Sequence, residues 1–194
     1  MLPRAAATAL VGLRTDEIWR QLRARYALTA RVEELETAHA AAYDPVLRAQ
    51  VEAMPGAPET VAALAALGLP LAVASASPRQ QVLAVLERLG LRAIIGVVAA
   101  GDEVARGKPA PDVYLLACAR LGTDPARCVA VEDSGPGLAA AKAAGLRVVA
   151  VPSPATAGQV AIVGADLVLS SLVGAEAPIV GLLRRRSSPT DATA

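Results

Sequence analysis

The sequence predicts an α/β fold, a parallel sheet with helices on both faces, and three observations carry that reading. From Met54 onward, short apolar segments alternate repeatedly with helical stretches, the pattern from which parallel sheets are built. The hydrophobic fraction is 54% but only 2% is aromatic, so the core packs from small and branched aliphatic side chains, as suits strands covered on both sides. Residues able to meet an anion or a cation fall at the C-terminal ends of the predicted strands, where ligands bind in open parallel sheets.

The N-terminal stretch to Gln50 reads as helical, with Ile18, Leu22 and Tyr26 at helical spacing and an Ala-, Glu- and Leu-rich run from Val32 to Gln50. Pro55-Gly56 marks the junction to the α/β region, which divides the chain into a helical unit 1–53, an α/β unit 54–183 and a tail 184–194. Strands are expected at Leu71 to Ser75, Gly96 to Ala100, Cys128 to Glu132, Arg147 to Val151 and Asp166 to Leu169. Ser77, Pro78 and Gln80 have the spacing of a capping box at a helix start. Gly145 and Gly164 follow the expected helices Gly137 to Ala144 and Ala155 to Val163 at the position of a C-terminal cap. After Leu183 too little apolar surface remains to offset the entropy of ordering, and the tail reads as disordered.

Composition narrows the function classes. Lys+Arg 19 against Asp+Glu 18, with no basic run before Arg184-Arg185-Arg186, argues against a nucleic-acid partner. The uncharged stretches Thr60 to Pro78 and Val148 to Ala165 are about as long as a membrane span, but Gly68 and Pro70 break the first, and Pro152, Pro154, Gly158, Gln159 and Gly164 the second. No export signal is evident at the start of the chain, so a cytoplasmic protein is expected; a monomer is expected as well. Cys118 and Cys128 show neither metal-ligand nor redox-motif spacing and read as reduced structural thiols. His39, without a second histidine, reads as a solvated surface residue.

Three segments carry chemistry. In Leu71 to Ser77 an apolar strand ends in a hydroxyl just before a helix start, so Ser75 and the backbone N–H groups of Ala76 and Ser77 can meet an anion together; the plainer alternative is a strand end followed by a cap. In Gly107-Lys108-Pro109-Ala110-Pro111-Asp112 two prolines stiffen the chain after a lysine, the alternative being a solvated lysine. In Cys128 to Gly137 the carboxylates Glu132-Asp133 follow a buried strand and precede a Gly-rich turn. Hard oxygen donors of this kind suit magnesium. Asp133 or Ser134 could instead cap the helix, but Glu132 at the end of an apolar strand demands a cation or a donor.

Ser75, Lys108 and Glu132-Asp133, in this order, resemble motifs two, three and four of the haloacid dehalogenase-like superfamily. The strongest matches are Ser75-Ala76-Ser77-Pro78, Lys108-Pro109-Ala110-Pro111 and Val131-Glu132-Asp133-Ser134, in the sugar-phosphate phosphatase and beta-phosphoglucomutase branch. The resemblance, from about Val11 to Leu172, implies a Rossmann-like core with the remnant of an N-terminal helical cap in 1–53. It implies a Mg2+-dependent phosphomonoester hydrolase acting on a small phosphorylated metabolite, a hexose or hexitol phosphate, through an aspartyl-phosphate. Ser75 would bond a phosphoryl oxygen, Lys108 would neutralise charge on nucleophile and phosphoryl group, and Glu132 and Asp133 would hold the metal. Gly12-Leu13-Arg14-Thr15-Asp16 resembles the cap loop that contacts substrate, making Arg14 a candidate phosphate or sugar contact. An ordinary charge ahead of a helix serves equally for Arg14.

The superfamily's first strand ends in Asp-x-Asp, and in these 194 residues no aspartate has another two positions later. A match that begins within the cap suggests loss of an N-terminal segment. The implied first strand lies between those leading to Ser75 and Asp133, so a sheet divided at its centre, marginal stability and negligible phosphatase activity are expected of this chain. A phosphohexomutase and a non-catalytic phosphate- or magnesium-binding relative are the alternatives.

Overall fold

The structure, a computed structural model, describes residues 10–153, 156 and 164–185. Two helices open it, α1 (Thr15–Tyr26) and α2 (Val32–Gln50). There follow α3 (Ala57–Ala66), β1 (Ala72–Ala74), α4 (Arg79–Arg88), β2 (Val97–Ala99), α5 (Asp112–Leu121), β3 (Val129–Glu132), α6 (Gly135–Ala143), β4 (Arg147–Ala150), β5 (Leu167–Val168) and α7 (Glu176–Arg184). All five expected strands form, each shorter than expected by one or two residues. The expected helix 155–163 lies outside the described residues.

Every strand pairing is parallel. β1 pairs with β2 in the register Val73 to Val98, and β4 lies between β3 and β5 in the registers Val131 to Val149 and Ala150 to Val168. The strands therefore form two sheets, β1-β2 and β3-β4-β5. A groove of about 1210 Å³ has Ala72, Val73 and Ala74 on one wall and Val129, Ala130 and Val131 on the other. Among the described residues the sheet is divided at this point, and Val131, an apolar strand residue, is left 41% exposed.

Alternation along the strands sends successive side chains to opposite faces. Val148 packs with α5 and α6 through Val113, Ala117, Leu138 and Ala141, whereas Val149 packs with α3 and α7 through Leu64, Ile179 and Leu182. On the β1-β2 sheet, Ala99 joins the first group and Val98 meets Val82 and Leu86 of α4. Helices thus cover both faces, and the two central β4 valines are fully buried. The N-terminal pair contributes little core: α1 buries Leu22 and α2 buries nothing.

Four local expectations need correction. α4 starts at Arg79 and its N-cap is Pro78, without a side-chain bond from Ser77. Asp102 Oδ1 instead accepts the Arg79 N–H (2.9 Å) from a residue 23 positions away, while the Ser77 carbonyl accepts from Gly101 N–H (3.0 Å). His39 is half-buried rather than solvated, edge-on to the rings of Trp19 and Tyr43 at 5.8 and 5.2 Å. α7 continues through Arg184, because the Arg147 guanidinium donates to the carbonyls of Leu182, Leu183 and Arg185 at its end. The helix before Gly145 begins at Gly135, two residues early, since Ser134 is its cap. The C-terminal cap at Gly145 holds, with φ +88° and a Leu146 N–H to Ala141 carbonyl bond (3.0 Å) closing the turn. Among the described residues no helix is long and apolar enough to cross a membrane.

Candidate active site

Glu132 ends β3, and its backbone carbonyl still pairs across the sheet with Val151 N–H (2.8 Å). Its carboxylate therefore projects from a fixed strand end and is buried, at 8% exposure. Lys108, equally buried at 6%, reaches it from the loop ahead of α5 and ion-pairs with Oε1. The Tyr114 hydroxyl, from the first turn of α5, donates to the same oxygen, and the Lys108 ammonium also lies over the Tyr114 ring at 5.0 Å. Ser134 Oγ donates to Oε2 (3.1 Å) and in turn accepts the Gly137 N–H (3.2 Å), capping α6. The demand for a cation and donors at Glu132 is thus met within the protein.

Glycine makes room for this cluster and for the Arg14 side chain beside it. A Cβ placed on Gly137 would overlap the Glu132 carboxylate, and one on Gly107 would stand 2.6 Å from Arg14 Cδ. Lys108 itself is set by Pro109 and Pro111 on its C-terminal side, with the Lys108–Pro109 bond cis. The Arg106–Asp112 ion pair (2.9 Å) closes the loop over it.

Burial pushes the Glu132 carboxyl up, but the Lys108 charge and the hydrogen bonds from Lys108, Tyr114 and Ser134 outweigh it and hold the group below the usual carboxylate range. Burial, then the Glu132 charge, drives the Tyr114 hydroxyl well above its ordinary value. At neutral pH, Glu132 is the anion and Tyr114 a donor.

Asp133, next in sequence, is half-buried and makes no hydrogen bond or ion pair among the described residues. It is the carboxylate available to a cation, whereas Glu132 would have to share its oxygens with Lys108, Tyr114 and Ser134. Two adjacent carboxylates fit Mg2+, which keeps several waters and takes one or two protein carboxylates. Among the described residues no group of three or more metal-ligating side chains gathers.

Ser75 follows β1, and its N–H continues the ladder to the Ala99 carbonyl (2.9 Å). Its Oγ accepts the Ser77 N–H (3.1 Å), folding Ser75-Ala76-Ser77 into a tight turn ahead of α4. Arg14 does not join the buried cluster. Its guanidinium binds Asp16 (2.8 Å) and donates to the Val104 carbonyl (2.8 Å), pinning α1 to the loop before Lys108. Gly12, two residues earlier, backs onto Ser134, so the Gly12 to Arg14 segment borders the cluster on two sides.

Sequence reasoning missed Tyr114 and assigned Ser134 only a cap. Tyr114 lies two positions after Asp112, the helix start, in a chain with three tyrosines. A phenol there needs a polar partner when buried, and Glu132 was the side chain in want of one.

Residues 3–145 match the family described as haloacid dehalogenase-like hydrolase, and the chain belongs to that family. Protein CbbY of Rhodobacter capsulatus is 45% identical over 133 residues, covering 66% of this chain and 59% of that protein. Hexitol phosphatase B of Escherichia coli K12 is 42% identical over 119 residues, 61% of this chain and 54% of that protein. The chain thus spans a little over half the length of these curated relatives. A mutant CbbY from Rhodobacter sphaeroides, solved in complex with xylulose-(1,5)bisphosphate, superposes with a TM-score of 0.77 at 32% identity, covering 88% of this chain and 77% of that one.

Proposed function

We propose that the site serves magnesium-dependent hydrolysis of a small sugar phosphate, a hexose or hexitol phosphate, by way of an aspartyl-phosphate, in a cytoplasmic and monomeric enzyme. The observation that carries this is the buried Lys108–Glu132 pair at the end of a parallel strand, beside Asp133, which has no partner among the described residues. A buried ion pair contributes little net stability compared with apolar packing, so a charge cluster at a strand end points to chemistry. The sugar-phosphate preference rests on the relatives, a hexitol phosphatase and a protein crystallised with a sugar bisphosphate.

In this reading the Ser75 hydroxyl and the N–H groups of Ala76 and Ser77 bind phosphoryl oxygens, and Lys108 neutralises the charge that builds on phosphoryl group and nucleophile. Asp133 and Glu132 hold the magnesium, which supplies charge neutralisation at the phosphoryl group when bound. Arg14 becomes a substrate contact only by leaving Asp16 and Val104, so its part is to seat α1 beside the site. The attacking carboxylate of an Asp-x-Asp pair is not among these 194 residues, and the polypeptide alone binds without turning over.

The test measures phosphate release from a panel of sugar phosphates with and without magnesium. The 194-residue chain is expected to release none. A version extended ahead of residue 1 by an apolar strand ending in Asp-x-Asp is expected to release phosphate only with magnesium. Turnover by the 194-residue chain refutes the need for the aspartates, and silence of a folded extended version favours the non-catalytic binding reading.

A further inference from the structure

Cys118 and Cys128, ten positions apart with no redox motif between them, meet in the fold. Their sulfur atoms are 3.7 Å apart, with Cys118 in α5 and Cys128 one residue before β3. Each backbone position is fixed separately. Thr123 N–H donates to the Cys118 carbonyl (3.0 Å) as α5 ends, Cys128 N–H donates to the Pro125 carbonyl (2.9 Å), and the Cys128 carbonyl accepts from Arg147 N–H (3.3 Å). The contact thus belongs to the packing of α5 against the start of β3. It does not depend on a loose loop.

Both thiols also line the open groove between β1 and β3, so a small solute has a route to them. They differ in accessibility: Cys118 is 3% exposed and Cys128 is half-buried. Burial, together with the neighbouring Cys128, pushes the Cys118 thiol up to about 12, so the more open sulfur is the one to react first.

We propose that Cys118 and Cys128 form an oxidation site at which a hydroperoxide converts the dithiol to an intramolecular disulfide. The Cys128 sulfur attacks the peroxide oxygen, the O–O bond breaks, and a sulfenic acid and one water form. The Cys118 sulfur then attacks the Cys128 sulfur, the S–O bond breaks, and the hydroxyl leaves as a second water with the Cys118 proton. Two thiols lose two electrons and two protons in all, and hydrogen peroxide is reduced to two waters. A disulfide holds its sulfurs about 2.05 Å apart, against 3.7 Å between the two thiols. The bridge ties α5, which carries Tyr114, to β3, which ends in Glu132.

The full chain is treated with hydrogen peroxide, folded and in denaturant, and followed by thiol titration and intact mass. Folded protein is expected to pass from two titratable thiols to none with a mass loss of about 2 Da, as a monomer. Tryptic peptides 107–120 and 128–142 should be cross-linked, and a reducing thiol should restore both thiols. The bridge should form at least about tenfold faster folded than in denaturant, since proximity is the source of the rate. Cys118→Ser and Cys128→Ser, each checked for an unchanged circular dichroism spectrum, should lose the cross-link; should either fail to fold, the wild-type comparison decides. Equal rates in both conditions, conversion of Cys128 alone to higher oxides, or disulfides only between molecules would overturn the proposal.

Discussion

Lys108 and Glu132 satisfy each other in a dry interior, and taking either away leaves a buried charge without a partner. Lys108→Met is expected to cost about 3–5 kcal/mol, measured by urea denaturation. Adding Glu132→Gln should recover part of that loss, because the stranded charge goes with it. Tyr114→Phe removes a hydrogen bond to a charged group and should cost about 1.5–3 kcal/mol. Gly137 gives a sharper contrast, since its missing Cβ is the space the Glu132 carboxylate occupies. Gly137→Ala should lower the melting temperature, whereas Gly181→Ala, in α7 with open space around it, should stabilise by about 0.5–1 kcal/mol. At this scale the sequence singled out Lys108 and Glu132 but not how they pair. Glu132 after an apolar strand announces an unmet charge, yet Tyr114 sits 18 positions away in a helix and reads there as one more core residue. The Cys118–Cys128 contact was equally hidden, because ten residues of turn and strand entry bring it about.

Elements were legible wherever the signal is local. The strands announced themselves as short apolar runs between turn residues, and the Gly145 cap as a glycine after a helical run. The start of α4 was misread because its cap comes from Asp102, 23 residues on, while Ser77 offered a local pattern that the fold leaves unused. Asp102→Ala is therefore expected to cost about 1 kcal/mol and Ser77→Ala much less, in thermal or chemical melts. Glu103 gives these elements a pH signature. Its bond to Arg120 lowers its pKa to about 2, against the opposing effect of burial and with help from the Ala100 N–H and Arg79. A carboxyl with a folded pKa below its unfolded value contributes stability fully above the unfolded value, about 4.3, and loses it as the pH falls towards about 2. Melting temperature should drop across that window, and Glu103→Gln should flatten part of the drop, with the depressed Glu132 carboxyl responsible for more of it.

For the whole molecule the governing feature is the groove between β1 and β3. The family resemblance pointed to it, because the strands leading to Ser75 and Glu132 fall in separate sheets among the described residues. Among the described residues two parallel sheets share helices on both faces but leave facing edges unpaired, and unpaired apolar edges favour association. Even so, the Lys108 and Glu132 cluster is complete on the β3 side, fixed by α5, α6 and the strand end. Binding of phosphate and magnesium at that cluster is the proposal this arrangement supports.

The most direct measurement is the melting temperature of the 194-residue chain in magnesium and inorganic phosphate, compared with Asp133→Asn. Ligands that bind only the folded state raise the melting temperature, so the wild type should shift upward when both are present. Asp133→Asn should melt where the wild type does without ligand and lose the magnesium-dependent part of the shift. An equal shift in both proteins, or none in either, would contradict a phosphate and cation site built on Lys108 and the acidic pair.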